Sequence, residues 1–224
     1  MGATPTFVTP RLFRFLDELR RHNDRAWFSA NKARYLAEVR DPLLAFVAAV
    51  APRLSAISRQ VVADPRPSSG VLLRIHRDTR FARDKRPYKT NAGLHFRHAA
   101  GKDIHAPGYY LHLEPGQVFM AAGMWRPGAD ALRAVREAIV KDPPGWRRAK
   151  RPGLHAGDAL TRAPRGFDPA HPLIEDLKRT TFTSGAPFSE KQACAADFPA
   201  RFVDACRRQV PLMRFLAKAV GLSF

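Results

Sequence analysis

Between Val71 and Met124 the apolar residues fall at alternate positions, and on both sides of that stretch they recur three and four apart. Alternation sends successive side chains to opposite faces of a strand, whereas three-and-four spacing lines one side of a helix. Val71 to Arg77, Ala92 to His98, Gly108 to Glu114 and Gln117 to Met124 read as four strands. Glu114-Pro115-Gly116 supplies a tight turn, so the last two pair as an antiparallel hairpin. The strands are not separated regularly by helices, which disfavours a doubly wound parallel sheet. The expected class is α+β: an antiparallel sheet of four or five strands packed by N- and C-terminal helices. We read residues 1–224 as a single domain, with a helical segment at 1–58, a strand-rich centre at 71–124 and a mainly helical remainder at 125–224.

Thr9-Pro10 caps and starts a first helix whose stripe is Leu12, Phe13, Phe15, Leu16 and Leu19. Asn23-Asp24 recaps the chain for a second helix carrying Trp27, Phe28, Tyr35, Leu36 and Val39. Asp41-Pro42 repeats the signal for a third through Phe46, Val47 and Val50, which Pro52 is expected to kink or end. After the hairpin, Pro127 opens a helix. Pro143 to Asp168 reads as an irregular excursion with one short helix around Trp146. A short helix near Leu173 to Leu177 precedes an edge strand at Thr180 to Thr183, and Ser189 opens a helical C-terminus with a long final part from Arg201 to Val220.

Against this apolar frame stands a strong positive balance: 38 Lys and Arg against 20 Asp and Glu, a formal charge of +18. Such a field attracts polyanions. Nucleic acid, an acidic membrane face and phosphorylated small molecules all fit, as does a solvated arginine-rich surface with no partner. Cys194 and Cys206 lack the spacing of a zinc site and read as reduced thiols in helices. Met1 to Thr9 has no basic region followed by an apolar run, and no stretch reaches the ~18 apolar residues of a membrane span. The expectation is a soluble cytoplasmic protein without a membrane partner. Nothing in the sequence names a cofactor, a reaction or an oligomeric state.

The most charged stretch runs from Arg74 to Asn91, with six Arg and Lys between Arg74 and Arg86 interleaved with Asp78 and Asp84. Such charges avoid the core unless they pair or meet a ligand. Period two places Arg74, His76 and Asp78 on one face of the first strand, His95 and Arg97 on one face of the second, and Tyr110, His112 and Glu114 on one face of the third. If the strands neighbour one another in order, these faces form a polar platform suited to a phosphate or carboxylate. In that reading Arg74, Arg77, Arg80 and Lys85 bind the anion, Asp78 or His76 handles a proton, and Tyr88, His95 and His112 line the pocket. A metal site would use His76, His95 and His112 with Asp78 or Glu114, but no tight local spacing supports it, and we assign no metal. Lys85-Arg86-Pro87-Tyr88-Lys89 interleaves an aromatic with basic residues, the pattern of a nucleic-acid patch, without any recognised nucleic-acid motif beside it. In a third reading the arginines serve only shape and solubility. The chain carries no P-loop and no Gly-x-Ser-x-Gly elbow. Gly123-Met-Trp-Arg-Pro-Gly reads as a glycine turn from strand to helix, with an anion site at the helix start as the alternative.

Arg74-x-x-Arg77-Asp78-x-Arg80-Phe81, followed by Asp84-Lys85 and Pro87-Tyr88-Lys89, resembles the signature of the bacterial family catalogued as domain of unknown function 2461. Asn23-Asp-Arg-x-Trp-Phe with Asn31-Lys32-x-x-Tyr35 is similar to its N-terminal region. Gly108-Tyr-Tyr-Leu-His-Leu-Glu-Pro-Gly and Gly123-Met-Trp-Arg-Pro are similar to its middle. The resemblance covers most of the chain and implies no activity. It does imply that the +18 balance is peculiar to this member, which weakens the nucleic-acid reading.

Overall fold

The structure, a computed structural model, describes residues 5–68, 70–101, 106–151 and 153–224. Of Met1 to Thr9, the stretch expected to carry no leader, Met1 to Thr4 lie outside the described residues. Four strands, β1 (Ala92–Phe96), β2 (Gly108–Glu114), β3 (Gln117–Met124) and β4 (Phe182–Phe188), form an antiparallel sheet in the order β1-β2-β3-β4. The β2–β3 hairpin closes with Glu114 opposite Gln117. Pro115 fixes one turn dihedral and Gly116 takes φ +82°, the pairing that a type II turn demands.

The alternation read from sequence sorts the sheet into two faces. Leu94, Phe96, Leu111, Leu113 and Met120 point to the core. There they meet α1 (Pro10–Arg21), α4 (Asp41–Ile57) and α9 (Phe198–Arg208), through Leu12, Phe15, Leu16, Phe46, Val50, Phe202 and Cys206 among others. Five side chains of α1 are buried, each stabilising by about 1.5–3 kcal/mol relative to exposure. A second cluster sits at the far end of β3 and β4. Met124 and Phe182, paired across the strands, pack with Val135 and Ile139 of α5 (Ala129–Lys141), Trp146 of α6 (Pro143–Ala149), Leu177 of α7 (Ile174–Lys178), and Leu212 and Leu216 of α10 (Val210–Ala219).

Several elements differ from expectation. Asp41-Pro42 does not break the chain. After α2 (Arg25–Ala30), the backbone runs helically from α3 (Lys32–Tyr35) through a π-turn at Leu36–Arg40 into α4. Pro42 lacks the N–H that a regular helix would bond four residues back, and the widened turn before it absorbs the mismatch. Pro52 does not end α4. It and Ala48, whose carbonyl loses a partner, are both exposed, so the freed carbonyl is not buried without a partner.

Val71 to Arg77 is not a strand. Leu72 bridges Leu94 at the outer edge of β1, then the chain turns back on itself, with His76 bridging Tyr88. Arg77 N–H donates to the Pro87 carbonyl and Lys89 N–H to that of Ile75, both at 2.8 Å. The charged residues 78–86 are thus the tip of a small hairpin, not a continuation of the sheet. β1 ends at Phe96 and not His98. The edge strand expected at Thr180 to Thr183 begins later and runs on to Phe188.

Candidate functional site

The second face of the sheet carries Gly93 and His95 on β1, Gly108, Tyr110, His112 and Glu114 on β2, and Phe119, Ala121 and Gly123 on β3. Among the described residues no helix fills the middle of this face. Gly108 lies opposite Gly123, and Ala121 opposite Gly185, so the floor is nearly free of side chains. The result is a cleft of about 770 Å³, within the range of small-molecule sites. Residues 155–158 form its far wall, in a segment that crosses beside the start of β4 and the chain leading into it. His155 N–H donates to the Thr183 carbonyl at 2.8 Å, Thr180 N–H to that of Asp158 at 3.0 Å, and Ala159 bridges Arg179.

Two glycines set the positions of the polar side chains. A Cβ on Gly108 would stand 2.9 Å from Nε2 of His95, and a Cβ on Gly93 would stand 2.6 Å from the hydroxyl of Tyr110. His95 therefore leans over Gly108 and Tyr110 over Gly93. The Tyr110 hydroxyl lies 3.2 Å from His112 Nδ1, and His112 Nε2 lies 3.1 Å from Glu114. Thr90 donates its hydroxyl to the other Glu114 oxygen at 2.8 Å. Stacking on Phe119, at 4.7 Å between centroids and 14° between planes, holds the His112 ring.

Burial pushes the Tyr110 hydroxyl above the ordinary tyrosine value; a hydrogen bond from Asn91 opposes this, and the Glu114 charge adds to it. Burial, with Arg97 nearby, lowers His95, and burial with Arg179 nearby lowers His155. In both, burial favours the uncharged imidazole.

The rim holds Trp125 and Arg126. Trp125 is 70% exposed, and the Arg126 guanidinium sits 5.3 Å above its ring. Arg126 takes φ +48°, the one non-glycine residue in that region among the described residues. Such a conformation persists only where its surroundings impose it. Here Arg126 N–H donates to Thr181 at 3.3 Å and its side chain pairs with Asp158 at 2.6 Å.

The residues read from sequence divide between two places. His95 lines the cleft, and His112 stands behind Tyr110. Arg74, His76, Arg77, Asp78, Arg80, Lys85 and Tyr88 are elsewhere, in the hairpin of 74–89. There Arg77 pairs with Asp84 at 2.6 Å and Arg80 with Asp78 at 2.7 Å, while Arg86 shares Asp84. Lys85 donates to the Thr79 carbonyl at 3.0 Å. Tyr88 is buried, stacked 4.2 Å from Phe28, with its backbone N–H and carbonyl both held by Asn23. His76 packs against the same two rings. Only Arg74 and Arg83 in this hairpin carry guanidiniums without an ion pair among the described residues. The two aspartates thus close the loop on itself, and the polar platform does not extend to it.

Trp125 and Arg126 fall in the Gly123-Met-Trp-Arg-Pro-Gly stretch, read from sequence mainly as a turn, and no sequence reading pointed to His155 and Asp158. Period two could not reveal the last two, because they reach the sheet from a stretch without periodicity. The run of small residues at Gly93, Gly108, Ala121 and Gly123 was the available signal.

The sequence profile described as "Conserved hypothetical protein (DUF2461)" matches residues 11–215. The chain belongs to this family. The DUF2461 match spans all four strands and every residue that lines the cleft. No curated protein and no solved structure matches the chain.

Proposed function

We propose that this DUF2461 protein binds a small molecule bearing a phosphate or carboxylate group in the sheet-face cleft. The observation that carries this reading is the Arg126 guanidinium, held at the mouth of the cleft by a strained backbone. Its partner is an exchangeable one: Arg126 and Asp158 are 62% and 67% exposed, and exposed pairs contribute only about 0–1 kcal/mol. An incoming anion replaces Asp158 with little loss and gains a planar two-pronged donor. Inside, Phe119, Tyr110 and Leu73 offer apolar surface while the neutral His95 and His155 fix orientation. In this reading Arg126 takes the part that sequence assigned to Arg74, Arg77, Arg80 and Lys85.

The test is thermal denaturation in the presence of inorganic phosphate, pyrophosphate and small mono- and dicarboxylates. At least one is expected to raise the melting temperature of the wild type and to leave that of Arg126→Ala unmoved. Equal shifts in both proteins, or none in either, would remove the proposal.

A further inference from the structure

We propose that Tyr110, His112 and Glu114 form a proton relay that makes the cleft catalytic. Tyr110 touches the substrate, His112 is its base, and Glu114 holds the imidazolium. The three residues stand at i, i+2 and i+4 of β2, on the face that opens into the cleft. A carboxylate at Glu114 only accepts and the Asn91 amide nitrogen only donates, so the hydrogen-bond network assigns the proton of His112 to Nε2 and leaves the Nδ1 lone pair facing the Tyr110 hydroxyl at 3.2 Å, with Asn91 Nδ2 more distant at 3.4 Å. This is the order of nucleophile, base and orienting carboxylate that activates hydroxyl side chains elsewhere.

Two features separate it from an ordinary polar sheet surface. Gly93 lies directly opposite His112, and a side chain there would occupy the place of the Tyr110 phenol. Phe119 stacked on His112 and Thr90 bonded to Glu114 hold the base and the carboxylate of the relay in place.

In the step this geometry performs, a substrate X–H gives its proton to the Tyr110 oxygen while the phenolic proton passes to His112 Nδ1. The electron pair of the X–H bond stays on X, and Glu114 balances the charge on the imidazole ring. The substrate class is an anionic small molecule, gripped at Arg126, with an ionisable O–H, N–H or C–H at Tyr110. Only that identity rests on the binding reading above; the relay itself does not.

The experiment uses a neutral arylsulfonyl fluoride and the full chain without ligand. Attack by the Tyr110 oxygen forms an S–O bond and breaks the S–F bond, fluoride leaving with its electron pair and the phenolic proton passing to His112. Mass spectrometry reads the site. The expected result is faster labelling at Tyr110 than at Tyr35, Tyr88 and Tyr109. His112→Phe, which keeps a ring on Phe119, is expected to slow it by at least about tenfold, short of the roughly hundredfold that a fully engaged base supplies. Gly93→Ala, which dislodges the phenol, is the second variant and is expected to slow labelling likewise. Labelling at Tyr110 no faster than at the other tyrosines, or unchanged in both variants, would overturn the relay. Failure of phosphate binding alone would leave it standing.

Discussion

Replacing Gly93 with alanine separates the site from the scaffold. The new methyl would stand 2.6 Å from the Tyr110 hydroxyl oxygen and 2.9 Å from Cε2, so the phenol must retreat by roughly 1 Å to reach ordinary contact. The 3.2 Å hydrogen bond to His112 does not survive such a move. Its loss costs about 0.5–1.5 kcal/mol. Alanine in a strand interior recovers about 0.5–1 kcal/mol relative to glycine. The two nearly cancel, and the melting temperature should change by no more than about 4 °C. The ring-nitrogen resonances of His112 should nevertheless move, because Nδ1 loses the Tyr110 hydroxyl and keeps only the longer contact to Asn91 Nδ2 at 3.4 Å. Thermal melts and nitrogen-15 spectra of labelled histidine read both effects on one sample. A fall in melting temperature beyond about 10 °C, or unmoved His112 resonances, would refute the geometry on which the relay depends.

Other consequences are simpler to read. Arg126→Gly should hold or raise stability by up to about 1 kcal/mol, since glycine adopts φ +48° without strain, while abolishing the anion-induced melting shift. A clear loss of stability would show that the Asp158 pair matters more than the backbone. Asp84, accepting from Arg86 first and Arg77 second, has its carboxyl held well below the usual 3.8. A group lowered by folding stabilises above its unfolded value, and that contribution is lost as pH falls toward its folded one. Carbonyl carbon-13 titration should therefore find Asp84 still ionised below pH 3.8, with Arg86→Ala raising its midpoint more than Arg77→Ala. A midpoint at or above 3.8 in the wild type would contradict the paired hairpin.

The parts of this architecture that were legible in sequence are those set by local rules. The α1 stripe and the β2–β3 hairpin follow from spacing and from a Pro-Gly turn, and the two faces of the sheet follow from period two. Val71 to Arg77 was misread because its apolar residues satisfy contacts with different partners, Leu72 with β1 and Ile75 with the core, which local alternation cannot distinguish from one strand. The site divides in the same way. His95, Tyr110 and His112 could be placed on one face from their positions alone. The charge-rich hairpin drew attention because charge is visible in a sequence, whereas its internal neutralisation by Asp78 and Asp84 is a matter of geometry. His155 and Asp158 became wall residues only through backbone pairing with the chain before β4, a contact between segments more than twenty residues apart.

The central claim is that the cleft, and not the cationic hairpin, is where a ligand binds. An amide nitrogen-15 titration with pyrophosphate tests it at residue level. The account predicts that shifts concentrate at Gly108 to Tyr110, Ala121 to Arg126, 155–158 and Thr181 to Thr183, with residues 77–86 little moved. Shifts confined to 77–86 would contradict it.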